Sequence, residues 1–277
     1  MDADANAHLL TVRDWLRYAV SRFNEAGLHF GHGSSEAYDE AAYLILHTLR
    51  LPIDRLEPFL DARLLPAERE RLADILTRRV RDRVPAAYLT GEAWLQGYRF
   101  RVDTRVIVPR SFLAPLILDQ FTPWLTDPDA VGHALDLCTG SGCLAILLAE
   151  AFPAAEVDAV DLSPDAIEVA RRNVDDYGLA ARVRVVHGDL YQGLAGRRYD
   201  LIVSNPPYVT AEAMDSLPAE YLHEPRMALA SGVDGMDAVR GILAGAPRHL
   251  APGGLLAVEV GHNRSLVEAA FPDLELT

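Results

Sequence analysis

A chain of 277 residues, half of them hydrophobic and 24% charged, has room for two domains with cores of their own. Aspartate and glutamate outnumber lysine and arginine by 40 to 26, and the net charge of −14 weighs against a nucleic-acid binder while suiting a basic protein partner. The two cysteines, Cys138 and Cys143, lie five apart in one segment and read as small apolar residues of a reducing cytosol, not as a disulfide or metal framework.

Met1 to His8 is acidic and has no apolar stretch, so a secretory signal is not expected, and no run approaches membrane-spanning length. A cytoplasmic protein is expected. Leu9, Leu10, Trp15, Leu16, Ala19, Val20 and Phe23 recur at helical spacing over residues 8–26, and Gly27 closes that helix. Phe30 to Ser35 is a turn-rich break, after which Ser35 can cap a second helix to about Leu49. A third helix is predicted from Pro66 to Arg83. Its arginines 69, 71, 78, 79, 81 and 83 read as a solvated face. His29, His32 and His47 share this region without clustered acids or thiols, and no metal site is expected.

Trp94, Tyr98, Phe100 and Val102 flank Gln96-Gly97, which predicts a β-hairpin, and an apolar helix follows from Phe112 to Trp124. Asp127-Pro128-Asp129 is a polar break. The chain thus divides into a helical bundle at 1–86, a hairpin-and-helix linker at 87–126 and a large domain at 127–277. In the large domain, strands at 133–138, 156–161, 182–187, 199–204 and 254–260 are interspersed with helices at 143–152, 164–177, 235–249 and 264–270. This alternation implies an α/β fold with a parallel, doubly wound sheet.

Two stretches of that domain carry chemistry. In Asp136-Leu137-Cys138-Thr139-Gly140-Ser141-Gly142 a strand runs through a glycine turn into a helix, whose first N–H groups are unpaired. Asp161 ends the next strand, where a carboxylate can hold ribose hydroxyls. Asp189 and Leu190, after the third strand, are further candidates for the nucleoside edge or else a plain strand-ending turn. Gly140-x-Gly142-x-x-Ala145 also fits a dinucleotide fingerprint, so this half alone leaves the nucleotide open. Asp136 must find partners inside the strand end, either by orienting the glycine loop or by meeting a cofactor amino group.

The second stretch is Asn205-Pro206-Pro207-Tyr208, which stops a buried strand beginning at Tyr199. Asn and Pro are ordinary turn residues. After a buried strand and a nucleotide loop, however, they suit transfer to a planar –NH2 whose lone pair is delocalised. The Asn205 side-chain oxygen and the Pro206 carbonyl can each accept one of its hydrogens, and Tyr208 can stack on the flat group. S-adenosylmethionine joins the halves, bringing an adenosine for Asp161 and the residues around Asp189 and a sulfonium methyl facing Asn205. Methyl transfer is an in-line displacement, so positioning supplies most of the catalysis and no metal is needed.

Over nearly its whole length the sequence resembles the HemK/PrmB family of protein-(glutamine-N5) methyltransferases. Asp-Leu-x-Thr-Gly-x-Gly at 136–142 resembles the family's cofactor loop, and Asn205 to Tyr208 its substrate motif. Arg83 to Thr90, Val108-Pro109-Arg110-Ser111, and Gly31-His32-Gly33 followed by Asp39-Glu40-Ala41 are similar to the PrmB branch. The release-factor branch has Pro-Asp-Thr-Glu after its Pro-Arg, which is missing here. The resemblance implies a Rossmann-like class I methyltransferase domain. It implies S-adenosylmethionine as donor, S-adenosylhomocysteine as product, and a glutamine in a large-subunit ribosomal protein of the uL3 type as acceptor. It also implies that the N-terminal bundle recognises that protein. Cys138, Thr139, Gly140, Ser141, Gly142, Asp161, Leu190 and Asn205 would line the cofactor site, and Asn205, Pro206, Pro207 and Tyr208 would hold the amide. Two departures stand out. Cys138 replaces a glycine common among relatives, and the antiparallel hairpin that closes the family's sheet is expected to be missing, since Leu274 to Thr277 is where its first strand should begin.

Alternatives of other classes are a release-factor methyltransferase, a nucleic-acid amino methyltransferase and a non-catalytic nucleotide-binding module of ribosome assembly. A base methyltransferase needs a positive groove and a base-flipping pocket, which the net charge disfavours. Pure binding does not need the Asn-Pro-Pro-Tyr geometry.

Overall fold

The computed structural model describes residues 7–274. Most of the segment on which no secretory signal was expected, Met1 to Asn6, lies outside them, as do Glu275 to Thr277, at the place where the closing hairpin was expected to be missing. The chain forms two compact units. One comprises the residues up to Ala93 with Pro218–His223, the other Trp94–Leu217 with the residues from Glu224 on.

The first unit is helical: α1 (Val12–Glu25), α2 (Ala37–Leu49), α3 (Pro66–Arg81) and the short α4 (Ala86–Thr90). Thr11 caps α1 through a reciprocal box, its hydroxyl accepting from Asp14 N at 3.2 Å while the Asp14 carboxylate accepts from Thr11 N at 2.9 Å. The Thr11 N–H first, with the Thr11 side chain and the Leu10 N–H, holds the Asp14 carboxyl below the usual range. Trp15, Ala19 and Phe23 of α1 pack with Leu44 and Ile45 of α2 and Leu72 and Leu76 of α3.

The arginine run corrects the sequence reading. Leu72, Ile75, Leu76 and Arg79 fall at i, i+3, i+4 and i+7, so Arg79 belongs to the buried stripe and is only 1% exposed. Its guanidinium donates to Glu40 at 2.6 Å, to Glu220 at 3.3 Å and to the His29 carbonyl at 3.0 Å, beside the Phe23 and Phe30 rings. Arg83 also reaches Glu220 and donates to the Ala26 and Gly27 carbonyls. His29 and His32 pack against Tyr221, with ring centroids 5.5 and 4.5 Å away.

The hairpin pairs β1 (Glu92–Leu95) with β2 (Tyr98–Arg101), and the division between units falls within β1. Gln96 and Gly97 both have positive φ, 52° and 82°, as a two-residue turn matched to strand twist requires. The apolar helix expected from Phe112 to Trp124 is shorter: α5 spans Leu113–Leu118. Gln120 and Phe121 then turn left-handed, which ends the helix and seats Phe121 in the core.

Five parallel strands form the sheet, β3 (His133–Leu137), β4 (Glu156–Asp161), β5 (Val183–His187), β6 (Tyr199–Ser204) and β7 (Leu250–Val258), in the order β5-β4-β3-β6-β7. Alternate residues face opposite layers. Ala134, Val157, Ala159, Leu201 and Val203 pack with α6 (Cys143–Ala151), while Leu135, Leu137, Val160 and Ile202 pack with Ile242. The remaining helices are α7 (Pro164–Asp176), α8 (Ala211–Met214), α9 (Arg226–Leu229), α10 (Asp237–His249), which carries Ile242, and α11 (Arg264–Ala270). Helices α8 and α9 carry no periodic signal that a sequence reading would catch. The fold is Rossmann-like, and the chain switches from one side of β3 to the other between β5 and β6. Ligands of open α/β sheets bind at the carboxyl ends of the strands beside such a switch.

Candidate active site

The loop leaving β3 turns sharply, with Cys138, Gly140 and Gly142 all at positive φ (60°, 56° and 81°). Gly142 permits close packing as well, because a Cβ there would come within 3.3 Å of Ala170 on α7. Asp136 clasps this turn: its Oδ2 accepts from the Thr139 hydroxyl at 2.5 Å and from Ala145 N, in the first turn of α6, at 3.1 Å. Of the two roles read from the sequence, orienting the loop is the one this geometry performs. Asp136 Oδ1 is buried with no hydrogen-bond partner among the described residues, and burial pushes the carboxyl up to about 7.

Asp161 closes the loop from the neighbouring strand, accepting from Gly140 N and Ser163 N, both at 2.8 Å. Burial raises its carboxyl above the usual range in spite of these donors. A carboxylate has about four acceptor positions, so two N–H groups leave capacity for a pair of hydroxyls. Cys138, Gly140, Asp161, Asp189, Leu190, Asn205 and Pro207 line one cavity of about 380 Å³, a size that suits a nucleoside-sized ligand. Thr139, Ser141 and Gly142 do not line it. Thr139 and Ser141 are buried, and the Ser141 carbonyl accepts from Asn173 at 2.8 Å, so these three shape the turn from behind. Burial pushes both cysteine thiols up, Cys143 to about 12, which keeps them protonated and inert. The sequence reading did not single out Val106, Leu162 or Met227, which also line the cavity. Leu162 had a signal in its place next to Asp161; Val106 and Met227 had none.

At the end of β6 the Ser204 hydroxyl donates to the Leu137 carbonyl at 2.8 Å, tying the two site-bearing strands together. Asn205 follows, and its Nδ2 donates to the Arg110 carbonyl at 3.1 Å. A carbonyl can only accept, so the amide nitrogen must face it and Oδ1 is left as the acceptor end. Pro206 does not line the cavity. Tyr208 lines a different one, of about 1140 Å³, together with Phe112, Trp124, Leu256, Val258 and Phe271. Its ring lies on Gly261, where a Cβ would come within 2.4 Å of Cε2, and its carbonyl accepts from Asn263 Nδ2 at 2.7 Å. Residues 205–208 therefore run from the smaller cavity to the larger.

The methyltransferase small domain family matches residues 117–235, a span that holds both the β3 loop and Asn205 to Tyr208. Along almost the whole chain the sequence is similar to ribosomal protein uL3 glutamine methyltransferases. The protein from Neisseria meningitidis serogroup A is 59% identical over 273 residues, 99% of this chain and 90% of that one. The chain belongs to this family. The Bordetella pertussis uL3 glutamine methyltransferase is 58% identical over 99% of this chain and 92% of its own length, and that of Bradyrhizobium diazoefficiens 50% identical over 97% and 86%. The two halves of the site sit on one open sheet, within the span that the domain family matches. No helix among the described residues is long and apolar enough to cross a membrane.

Proposed function

We propose that this uL3-methyltransferase family member transfers a methyl group from S-adenosylmethionine to the side-chain amide nitrogen (N5) of a glutamine in ribosomal protein uL3. The observation that carries the reading is Asn205, whose amide is locked nitrogen-first onto the Arg110 carbonyl at the rim of a nucleoside-sized cavity. Asp161 would hold the ribose hydroxyls, Gly140 the closely approaching chain of the cofactor, and Asp189 and Leu190 the nucleoside edge. When bound, S-adenosylmethionine supplies an electrophilic methyl carbon and a neutral thioether leaving group.

The protein's part is to make a poor nucleophile competent. Asn205 Oδ1 and the Pro206 carbonyl each accept a hydrogen of the glutamine –NH2, drawing its lone pair out of conjugation and towards the methyl carbon. Pro207 stiffens the turn, and the Tyr208 ring supports the planar amide. With the cofactor bound, transfer would exchange its methyl–sulfur bond for a nitrogen–methyl bond, leaving the electron pair on sulfur, and the methylated amide would release its proton to water. Holding the reacting atoms in line supplies the largest share of the acceleration. The helical unit is the proposed recognition surface for a basic ribosomal protein, and the net charge of −14 favours that encounter. The proposed substrate places the reaction in the cytoplasm, where ribosomes assemble.

The test is transfer from radiolabelled S-adenosylmethionine to an undermethylated ribosomal extract, followed by separate protease and nuclease digestion. Label in uL3 that only protease releases is expected. Label that only nuclease releases, or label in a release factor alone, would overturn the assignment, and no label at all would point to a binding module.

A further inference from the structure

The carbonyl that orients Asn205 belongs to a segment with no secondary structure, residues 107–111, so no backbone ladder fixes it. Two carboxylates clamp it instead, buried Glu224 and half-buried Glu259. Glu224 accepts from Val108 N at 2.9 Å and takes the Arg110 guanidinium as a two-pronged fork, with both contacts at 2.6 Å. Glu259, just past β7, accepts from the Ser111 hydroxyl at 2.6 Å and from Phe112 N at 3.0 Å, while its own N–H donates to the Ser204 carbonyl at 2.9 Å. The Glu224 side chain is 0% exposed. Placing an ionised carboxylate there carries a desolvation cost, which a fork of charge-assisted bonds can offset but an apolar residue would never incur. What the fork adds is geometry: it fixes the backbone of Arg110, and with it the carbonyl 3.1 Å from Asn205 Nδ2.

The orientation matters because the two ends of an amide are nearly the same size and opposite in hydrogen-bonding sense. Turned over, Asn205 would present a donor to the donor –NH2 of the substrate and could not draw out its lone pair. We infer that Glu224 is a positioning residue for methyl transfer, acting through Arg110 to hold Asn205 with its oxygen towards the substrate amide. This rests on the glutamine reading above, and the effect should fall on the saturated rate and not on cofactor affinity.

The experiment compares wild type, Glu224→Gln, Glu224→Ala, Asn205→Ala and the Asn205→Ala/Glu224→Ala double variant, all as full chains. Single-turnover methylation of uL3 is measured at saturating cofactor, with calorimetric affinity for S-adenosylmethionine alongside. Glu224→Ala is expected to slow transfer about 10²-fold, the cost of a misplacement near 1 Å, and Glu224→Gln, which keeps the shape and one acceptor oxygen, about 10-fold. Affinity for the cofactor should stay within about threefold, and in the Asn205→Ala background loss of Glu224 should cost less than about threefold more, because the two act as one unit. Multiplicative losses in the double variant, or an unchanged rate in Glu224→Ala, would overturn the inference. If Glu224→Ala does not fold, the same cycle is run with Glu224→Gln.

A second readout needs no substrate. The Asn205 side-chain NH2 resonance, assigned by its absence in Asn205→Ala, should exchange with solvent at least about tenfold faster in Glu224→Gln than in wild type once the Arg110 acceptor is loosened. Equal exchange would also overturn the inference. A wild type that fails to label uL3 but shows this exchange difference would instead refute the substrate assignment and leave the positioning contact standing.

Discussion

The two halves of the site are held in place by different means. Around the β3 loop the fixing contacts are local: Asp136 reaches partners 3 and 9 residues away, and Asp161 reaches Gly140 across 21. Around Asn205 they are long-range: 95 residues separate Asn205 from Arg110, 116 separate Val108 from Glu224, and 55 separate Tyr208 from Asn263. The proposed cofactor half is a backbone shape that glycines and two carboxylates enforce. The proposed transfer half is an orientation that distant elements impose on a short turn. Substitutions in the first should weaken binding, and substitutions in the second should slow chemistry.

The largest effect expected from that contrast is at Asn205. Asn205→Ala should lower the single-turnover rate by roughly 10²–10³, the range for losing one well-placed polar group in a transition state, with little change in cofactor affinity. Asp161→Ala should do the reverse, weakening S-adenosylmethionine binding by about 10-fold or more, as expected for lost hydrogen bonds to a charged group, while the saturated rate stays within a few-fold. Calorimetry and rapid-quench kinetics on the two variants check both. If each variant lost rate and affinity in equal measure, the two halves would not be separable.

Tyr208 sharpens the contrast at a second position. Its ring lies on Gly261 and lines the larger cavity, a placement that suits a supporting surface. Tyr208→Phe keeps that surface and should retain most of the rate, whereas Tyr208→Ala should lose about 10-fold from the lost ring contact, rising towards 10² as the amide is misoriented. Equal, severe losses in both variants would mean that the phenol oxygen handles a proton.

How much of this was legible in the sequence follows the same divide. The glycine turn, Asp161 at its strand end and all five strands of the sheet could be read because short apolar runs and glycine punctuation are local signals. The Asn205-Pro206-Pro207-Tyr208 motif was visible as a motif, but nothing in it says that Asn205 is oriented by Arg110 or that Tyr208 faces a different cavity from Asn205. Those facts depend on where residues 107–111 and 224–263 pass in space. Arg79 shows a readable signal that composition obscured, since its helical spacing from Leu72 and Leu76 placed it in the core while its charge suggested solvent. The early end of α5 had no apolar signature at all, because Phe121 remains a core residue after the helix stops.

A stability measurement tests the local half through Asp136. Its carboxyl is pushed up to about 7 from an ordinary value of 3.8, so the folded chain holds a proton there that the unfolded chain has already lost. Stability from this group is complete at low pH and is lost as pH rises from the ordinary value through about 7, at a slope of no more than about 1.4 kcal/mol per pH unit. Asp136→Asn stays neutral throughout and should show a flatter unfolding free energy between about pH 4 and 7 in urea titrations. A variant that falls as steeply as the wild type would place the proton elsewhere.

The claim on which the rest depends is that the acceptor is a planar amide nitrogen, and the chemistry of the product tests it most directly. uL3 methylated with radiolabelled S-adenosylmethionine is recovered and divided between mild base and hot acid. A methyl on a glutamine amide survives mild base and is freed by hot acid as methylammonium, which becomes volatile methylamine once the hydrolysate is made alkaline, because acid cleaves the amide bond and not the nitrogen–methyl bond. The account predicts that result. Label released by mild base as methanol would mean a carboxylate ester, and label kept in acid as non-volatile methyl-lysine or methyl-arginine would mean an amine or guanidine acceptor. Either would contradict a site built to localise an amide lone pair.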